Sequence, residues 1–206
     1  MRAGRRFALV AVGMPFITGG LGSWSDEAHA GAQLEEPLSA AVRTALSAAV
    51  ADEAPPKPSF DQEDQRREHE RWMQKMGARL QRVKSEAQTR EEFLQTVWYE
   101  SRRAALETSL VLGLIQVESG FRKYAISASG ARGYMQVMPF WVRLIGDGEP
   151  SRLFHMQTNL RFGCTILRHY LSLEQGDLFM ALGRYNGSRG RPEYPNQVMQ
   201  ARMGWV

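Results

Sequence analysis

The sequence predicts a mainly α-helical fold, and three observations carry that prediction. Apolar residues return at intervals of three and four through most of residues 61–206, the period of a helix face. Runs alternating apolar and polar residues, the mark of a half-buried strand, are few. A composition of 43% apolar and 23% charged residues over 206 positions suits one compact domain with some dispensable length.

The elements follow in order. Arg2, Arg5 and Arg6 precede the apolar run FALVAVGMPFITGGLG, and Ala28-His29-Ala30 offers a small-residue cleavage site before Gly31. Residues 1–30 therefore read as a secretory signal peptide. The run is short for a membrane span and Gly19, Gly20 and Gly22 weaken its end. Export to the periplasm with removal of residues 1–30 is expected, and a retained inner-membrane anchor is the alternative. Residues 31–60 are rich in Ala and carry Pro37, Pro55, Pro56 and Pro58, so they read as a linker of low order. Within them AAVRTALSAAV can form a helix but has few large apolar groups to hold a fold.

Residues 61–105 read as a helical extension. Trp72, Met76, Leu80 and Val83 form one apolar stripe on an otherwise charged helix, which must cover the chain's own domain, a partner protein docked on helix 61–84, or a second copy. Thr89 followed by Glu92 suggests a capping box for the next helix, with Phe93, Leu94, Val97 and Trp98 facing inward. Residues 106–206 form the remaining domain, with helices expected over 108–119, 134–144, 158–174, 177–185 and 193–202. Between the first two, FRKYAISASGARG reads as a loop or a very short hairpin.

The formal charge of +4 stays mildly positive once residues 1–30 are removed. That balance favours an anionic partner: a cell-wall polymer, a membrane surface or nucleic acid, the last disfavoured by export. Cys164 is the single cysteine, which excludes an intramolecular disulfide and reads as a buried thiol. His29, His69, His155 and His169 have no metal-ligand spacing, so neither a metal nor a cofactor is expected.

One carboxylate breaks the pattern. Glu118 follows Val111 by seven residues and Leu114 by four, so it shares their apolar face. A carboxylate in such a place either leans out to solvent or pairs with Arg122, or it has a task that uses a raised pKa.

The residues from Glu118 onward form a familiar set. VESGFRKYAISASGARGYMQVMP presents Glu118, Ser119, Phe121, Ser127, Gly130, Ala131, Gly133, Met135, Gln136, Met138 and Pro139. NLRFGCTILRHYL follows with Asn159 and Gly163, and ALGRYNGSRG with Tyr185 and Asn186. In this order and spacing the three blocks resemble the family 1 lytic transglycosylases, whose SLT-type domain cuts peptidoglycan glycan strands. The resemblance covers roughly residues 105–200. It implies a lysozyme-like α+β domain with a glycan cleft, Glu118 as the catalytic acid, and Ser127, Met135, Gln136, Tyr185 and Asn186 as substrate-binding residues. Ser119, Gly130, Gly133 and Asn159 would support the site, Asn159 alternatively capping its own helix. Three departures stand out: Tyr134 in place of the usual Leu, Gly187-Ser188 in place of Ala-Gly, and His155 where an acid is common. The first two adjoin the expected cleft and bear on subsite shape.

The resemblance also implies a mechanism. Most glycosidases place a second carboxylate roughly 5 to 9 Å from the first. The three blocks contain none, and Asp147, Glu149, Glu174 and Asp177 read as solvated loop or helix-end residues. In the family pattern the substrate N-acetyl group assists and a 1,6-anhydro product forms. Hydrolysis by the same fold, or a wall-binding or secretion-apparatus role without cleavage, are the alternatives.

Overall fold

The computed structural model describes residues 33–51 and 60–206. The signal-peptide reading and the cluster Pro55, Pro56 and Pro58 lie outside the described residues. Eight α-helices follow one another among them: α1 Ala40–Val50, α2 Glu63–Leu80, α3 Ala87–Arg103, α4 Thr108–Ser119, α5 Pro139–Ile145, α6 Met156–Leu173, α7 Leu178–Asn186 and α8 Glu193–Met203. A 3-10 turn, Pro150–Phe154, joins α5 to α6. The described β structure amounts to two isolated antiparallel bridges, Ile126 with Arg132 and Arg132 with Val137. The fold is mainly α, as the periodicity predicts.

Helix α4 forms the axis because most of its length is apolar and buried, the pattern of an interior helix. Leu110, Val111, Leu112, Leu114 and Ile115 are all buried. Helix α3 packs on one flank and α8 on the other. The α8 approach depends on Gly113: a β-carbon there would stand 2.7 Å from the Arg202 backbone nitrogen and 3.1 Å from the Val198 carbonyl oxygen. The helix ends at Gly120, in the left-handed conformation, whose N–H bonds the Gln116 carbonyl. At the chain's far end Trp205 stacks edge-on against Phe121 and donates to the Gln116 side chain at 2.8 Å.

The stripe on α2 meets the same chain. Met76 and Leu80 are buried, and Trp72 lies 5.0 Å from the Trp98 ring of α3. Val83, expected in the stripe, is exposed because α2 has already ended at Leu80. Helix α3 is tied to α6 by an ion pair out of water, in which Arg161 Nε and an Arg161 terminal nitrogen donate to Glu100 Oε1 at 3.0 and 2.8 Å. Removing either partner would strand a buried charge.

Three local expectations need correction. Residues 40–50, assigned to a linker of low order, form α1, which is capped by the Ser39 side chain and seats Leu46 in the core. One leucine, backed by half-buried Leu38, Val42 and Val50, suffices because α5 and α6 supply the facing surface. The cap of α3 is Glu86, whose carboxylate accepts from the Gln88 and Thr89 amides at 3.0 and 2.7 Å. Thr89 sits inside the first turn and caps nothing. The helix expected at 134–144 begins only at Pro139, which occupies the first helical position and is suited to it by its fixed φ and missing N–H. Residues 134–137 are instead folded into the irregular segment after α4, with Gln136 at a φ of +47°.

Candidate active site

Glu118 lies in the last turn of α4 and is 1% exposed. Its Oε1 accepts the hydroxyl proton of Tyr194 from α8. Its Oε2 is buried too, with no hydrogen-bond partner among the described residues. Burial among aliphatic neighbours drives the carboxyl from its ordinary 4.5 up to about 8, and the Tyr194 hydrogen bond opposes that rise. The side chain is therefore a neutral acid at neutral pH. It does not lean into solvent. Arg122, the alternative partner, directs its Nε to the Ser119 carbonyl at 3.0 Å.

The segment after Glu118 is shaped by bonds to three helices. Ser119 Oγ donates to the Tyr134 carbonyl at 2.7 Å, pinning the returning chain to the end of α4. Asn159, in the first turn of α6, does more: its Oδ1 accepts from the Met135 amide at 2.8 Å, and its Nδ2 donates to the Arg132 and Leu153 carbonyls at 2.8 and 2.9 Å. It does not cap α6, a position held by His155. Gly133 makes this close approach possible, because a β-carbon there would lie 2.4 Å from Asn159 Nδ2 and its φ of +75° disfavours side chains. Tyr185 of α7 adds a third bond, its hydroxyl donating to the Met135 carbonyl at 2.7 Å. Burial raises the Tyr185 and Tyr194 hydroxyls well above their ordinary pKa, and the proximity of Glu118 adds to both.

The structure thus brings Glu118, Tyr185, Met135, Asn159 and the Ser119 hydroxyl into one connected cluster. Gln136 joins from the same segment: its Nε2 donates to the Ala125 and Gly133 carbonyls at 3.1 and 2.9 Å, and its buried Oε1 has no partner among the described residues. The Met135 side chain lies in the core against Gly163, where a β-carbon would come within 2.4 Å of Sδ. Expected to line the cleft, Met135 offers the site its backbone. Ser127 and Gly130 belong to the adjoining turn, in which Ser127 Oγ accepts from the Ala131 amide at 3.1 Å and Gly130 has a φ of +86°. Asn186, at the end of α7, donates to Ser188 Oγ at 2.9 Å, and its buried Oδ1 has no partner among the described residues.

The departures from the family pattern fall into place differently. Tyr134 does not face a cleft: it is buried against Phe93, and its hydroxyl accepts from Lys84 Nζ at 2.7 Å. Desolvation lowers the Lys84 ammonium to about 8. Ser188 partners Asn186, and His155 starts α6.

Two residues of this neighbourhood escaped the sequence reading. Tyr194 is 76 positions from Glu118 in a helix of weak amphipathic pattern. Gln33, assigned to the linker, is 4% exposed; its Nε2 donates to the Gln136 carbonyl at 3.5 Å and its Oε1 accepts from the Met138 amide at 3.3 Å.

Other acids stand apart from Glu118. Glu174, expected to be solvated, is held to about 2 by ion pairs with Arg189 and Arg184. Asp147 pairs with Arg152, and Asp177 caps α7 through the Met180 amide. Among the described residues no cluster of three or more His, Cys, Asp or Glu is placed to hold a metal ion. Cys164 is buried with its thiol pushed well up in pKa.

Fold and site together define a helical domain built around one dry, protonated carboxyl group. The chain belongs to the family described as Transglycosylase SLT domain, whose profile matches residues 96–202. It is similar to Membrane-bound lytic murein transglycosylase C of Mannheimia succiniciproducens, 39% identical over 84 residues that cover 37% of this chain and 24% of that protein. It also resembles the protein of that name from Yersinia pestis, 33% identical over 114 residues, 48% of this chain and 32% of that one. The chain spans about a quarter to a third of the length of these curated relatives. Among solved structures it resembles an inactive mutant of the lytic transglycosylase Slt from Pseudomonas aeruginosa, with a TM-score of 0.49 and 22% identity over 53% of this chain and 23% of that one.

Proposed function

We propose that the protein is a peptidoglycan lytic transglycosylase that cleaves the β-1,4 bond between N-acetylmuramic acid and N-acetylglucosamine, with Glu118 as its catalytic acid and base. The observation that carries this reading is the state of Glu118: buried, neutral at pH 7, and shifted by burial and one tyrosine with no second carboxylate contributing. Breaking a glycosidic bond needs a proton on the leaving oxygen, and an apolar setting keeps a carboxyl group protonated for that purpose.

In the first step the Glu118 proton passes to the departing oxygen of N-acetylglucosamine while the acetamido oxygen of N-acetylmuramic acid bonds to C1. In the second, the Glu118 carboxylate takes the proton from the C6 hydroxyl, O6 bonds to C1, and the acetamido oxygen leaves. Glu118 is protonated again and no water is consumed. Proton transfers of this kind contribute on the order of 10²- to 10⁴-fold in rate, and positioning must supply the rest.

Tyr185 and Asn159 would act by holding the Met135–Gln136 backbone against the substrate, and the buried acceptors Gln136 Oε1 and Asn186 Oδ1 would accept hydrogen bonds from sugar hydroxyl or amide groups. Ser127, whose hydroxyl already serves the turn, would add an acetamido contact. The substrate places the protein in the cell envelope after export. No described helix is long and apolar enough to cross a membrane.

Mass spectrometry of purified sacculi digested with the protein tests this reading. Anhydromuropeptides, absent when Glu118→Gln is used, are expected. Products ending only in reducing muramic acid would instead make the protein a hydrolase.

A further inference from the structure

We propose that Gln33–Leu38 is an intramolecular strap lying along the Gln136–Met138 backbone, which would line the glycan groove, with the Gln33 carboxamide occupying the seat of a substrate acetamido group. The inference rests on that segment meeting glycan, as proposed above. Gln33 precedes α1 and is nevertheless buried against residues more than a hundred positions away in sequence. Its side chain presents a donor to the Gln136 carbonyl and an acceptor to the Met138 amide. An N-acetyl group carries the same pair, an N–H donor and a carbonyl acceptor on one planar amide. Both groups that Gln33 engages belong to the segment after Glu118 that Tyr185 and Asn159 hold in place.

Farther along, Glu36 pairs with Arg184 of α7 at 2.7 Å, one residue before Tyr185. This second anchor is partly exposed, so water and salt weaken it. Pro37 and Ser39 then turn the chain into α1. That helix is a light attachment: Leu46 is its only fully buried side chain, and a crevice runs beneath Val42, Ala45 and Ala49. Elements with few buried apolar contacts open at low cost. A strap held by two side chains and carried on such a helix is displaceable by a polymer that offers many acetamido groups. It acts as a weak competitor for the groove, not as a permanent plug.

Gln33→Ala, Glu36→Ala and the double substitution in the full chain test this, since neither side chain belongs to the proposed machinery. Affinity for tetra-N-acetylchitotetraose is measured by calorimetry, and kinetics on soluble glycan strands give KM and kcat. The strap predicts a Kd and KM lowered roughly three- to tenfold, the worth of one or two neutral hydrogen bonds, with kcat unchanged. Faster hydrogen exchange at the Met138 amide in Gln33→Ala, slowed again by the tetrasaccharide, would be its second signature. Unchanged Kd and KM in proteins that still cleave glycan would overturn the strap alone, and weakened binding would make Gln33 a binding residue instead. Absence of both binding and cleavage in every form would overturn the strap together with the functional reading.

Discussion

The Tyr194 hydroxyl donates to Oε1 of Glu118 across the α4–α8 contact. This bond is one of two influences that set the proton affinity of the carboxyl group, and it opposes the larger one, burial. A hydroxyl donor stabilises the carboxylate form, so Tyr194 moderates an acid that would otherwise release its proton still more reluctantly.

Replacing Tyr194 with Phe should therefore raise the Glu118 pKa further. The alkaline limb of the pH–rate profile should move to higher pH, while kcat near neutrality falls roughly tenfold, less than the 10²- to 10⁴-fold order of a proton-transfer group itself because Glu118 is retained. Steady-state kinetics from pH 5 to 10 check both; an unmoved limb would remove Tyr194 from the proton economy of the site.

The same shift links stability to pH. The folded protein keeps the Glu118 proton up to about pH 8, whereas the unfolded chain releases it near 4.5. Between those values unfolding releases a proton, so stability falls as pH rises and levels off above 8. The full effect is at most on the order of 5 kcal/mol. Glu118→Gln abolishes this contribution, so its advantage in stability over the native protein should grow from pH 4.5 to 8. Urea midpoints across that interval measure it.

Asn159 predicts a different pattern. Its side chain satisfies the Met135 amide and the Arg132 and Leu153 carbonyls, all in the segment that carries the site or beside it. Asn159→Ala takes the side-chain partner from the buried Met135 amide and the Leu153 carbonyl, leaves the Arg132 carbonyl with the Val137 amide, and should cost about 2 to 4 kcal/mol. Activity should fall further than the unfolded fraction explains, because the Met135–Gln136 backbone loses its anchor. Thermal melts and kcat measured together separate the two losses.

Legibility in the sequence followed the size of the side chains involved. Helix α4 and the odd position of Glu118 could be read because Val111, Leu114 and Ile115 mark a strongly apolar face around one acid. Helix α1 is allowed by the sequence but its attachment is not legible there, because Ala dominates it and a single leucine, Leu46, anchors it to surfaces remote in sequence. The late start of α5 was written in Pro139, a residue suited to the first helical turn. Tyr194 left no comparable mark: its helix has a weak apolar pattern, and its partner is reached only through the close α4–α8 packing that Gly113 permits. Tyr134 resembled a cleft residue because it adjoins Met135 and Gln136, which were expected there, yet its ring turns toward Phe93 and Lys84.

The central claim is that Glu118 remains protonated at neutral pH because it is dry. Carbon-13 NMR of the Glu118 carboxyl, assigned by difference against Glu118→Gln and followed from pH 3 to 10, measures this directly. A single titration centred near 8 is the result expected. A midpoint at the ordinary value, between about 4 and 5, would show a solvated carboxylate and contradict the account.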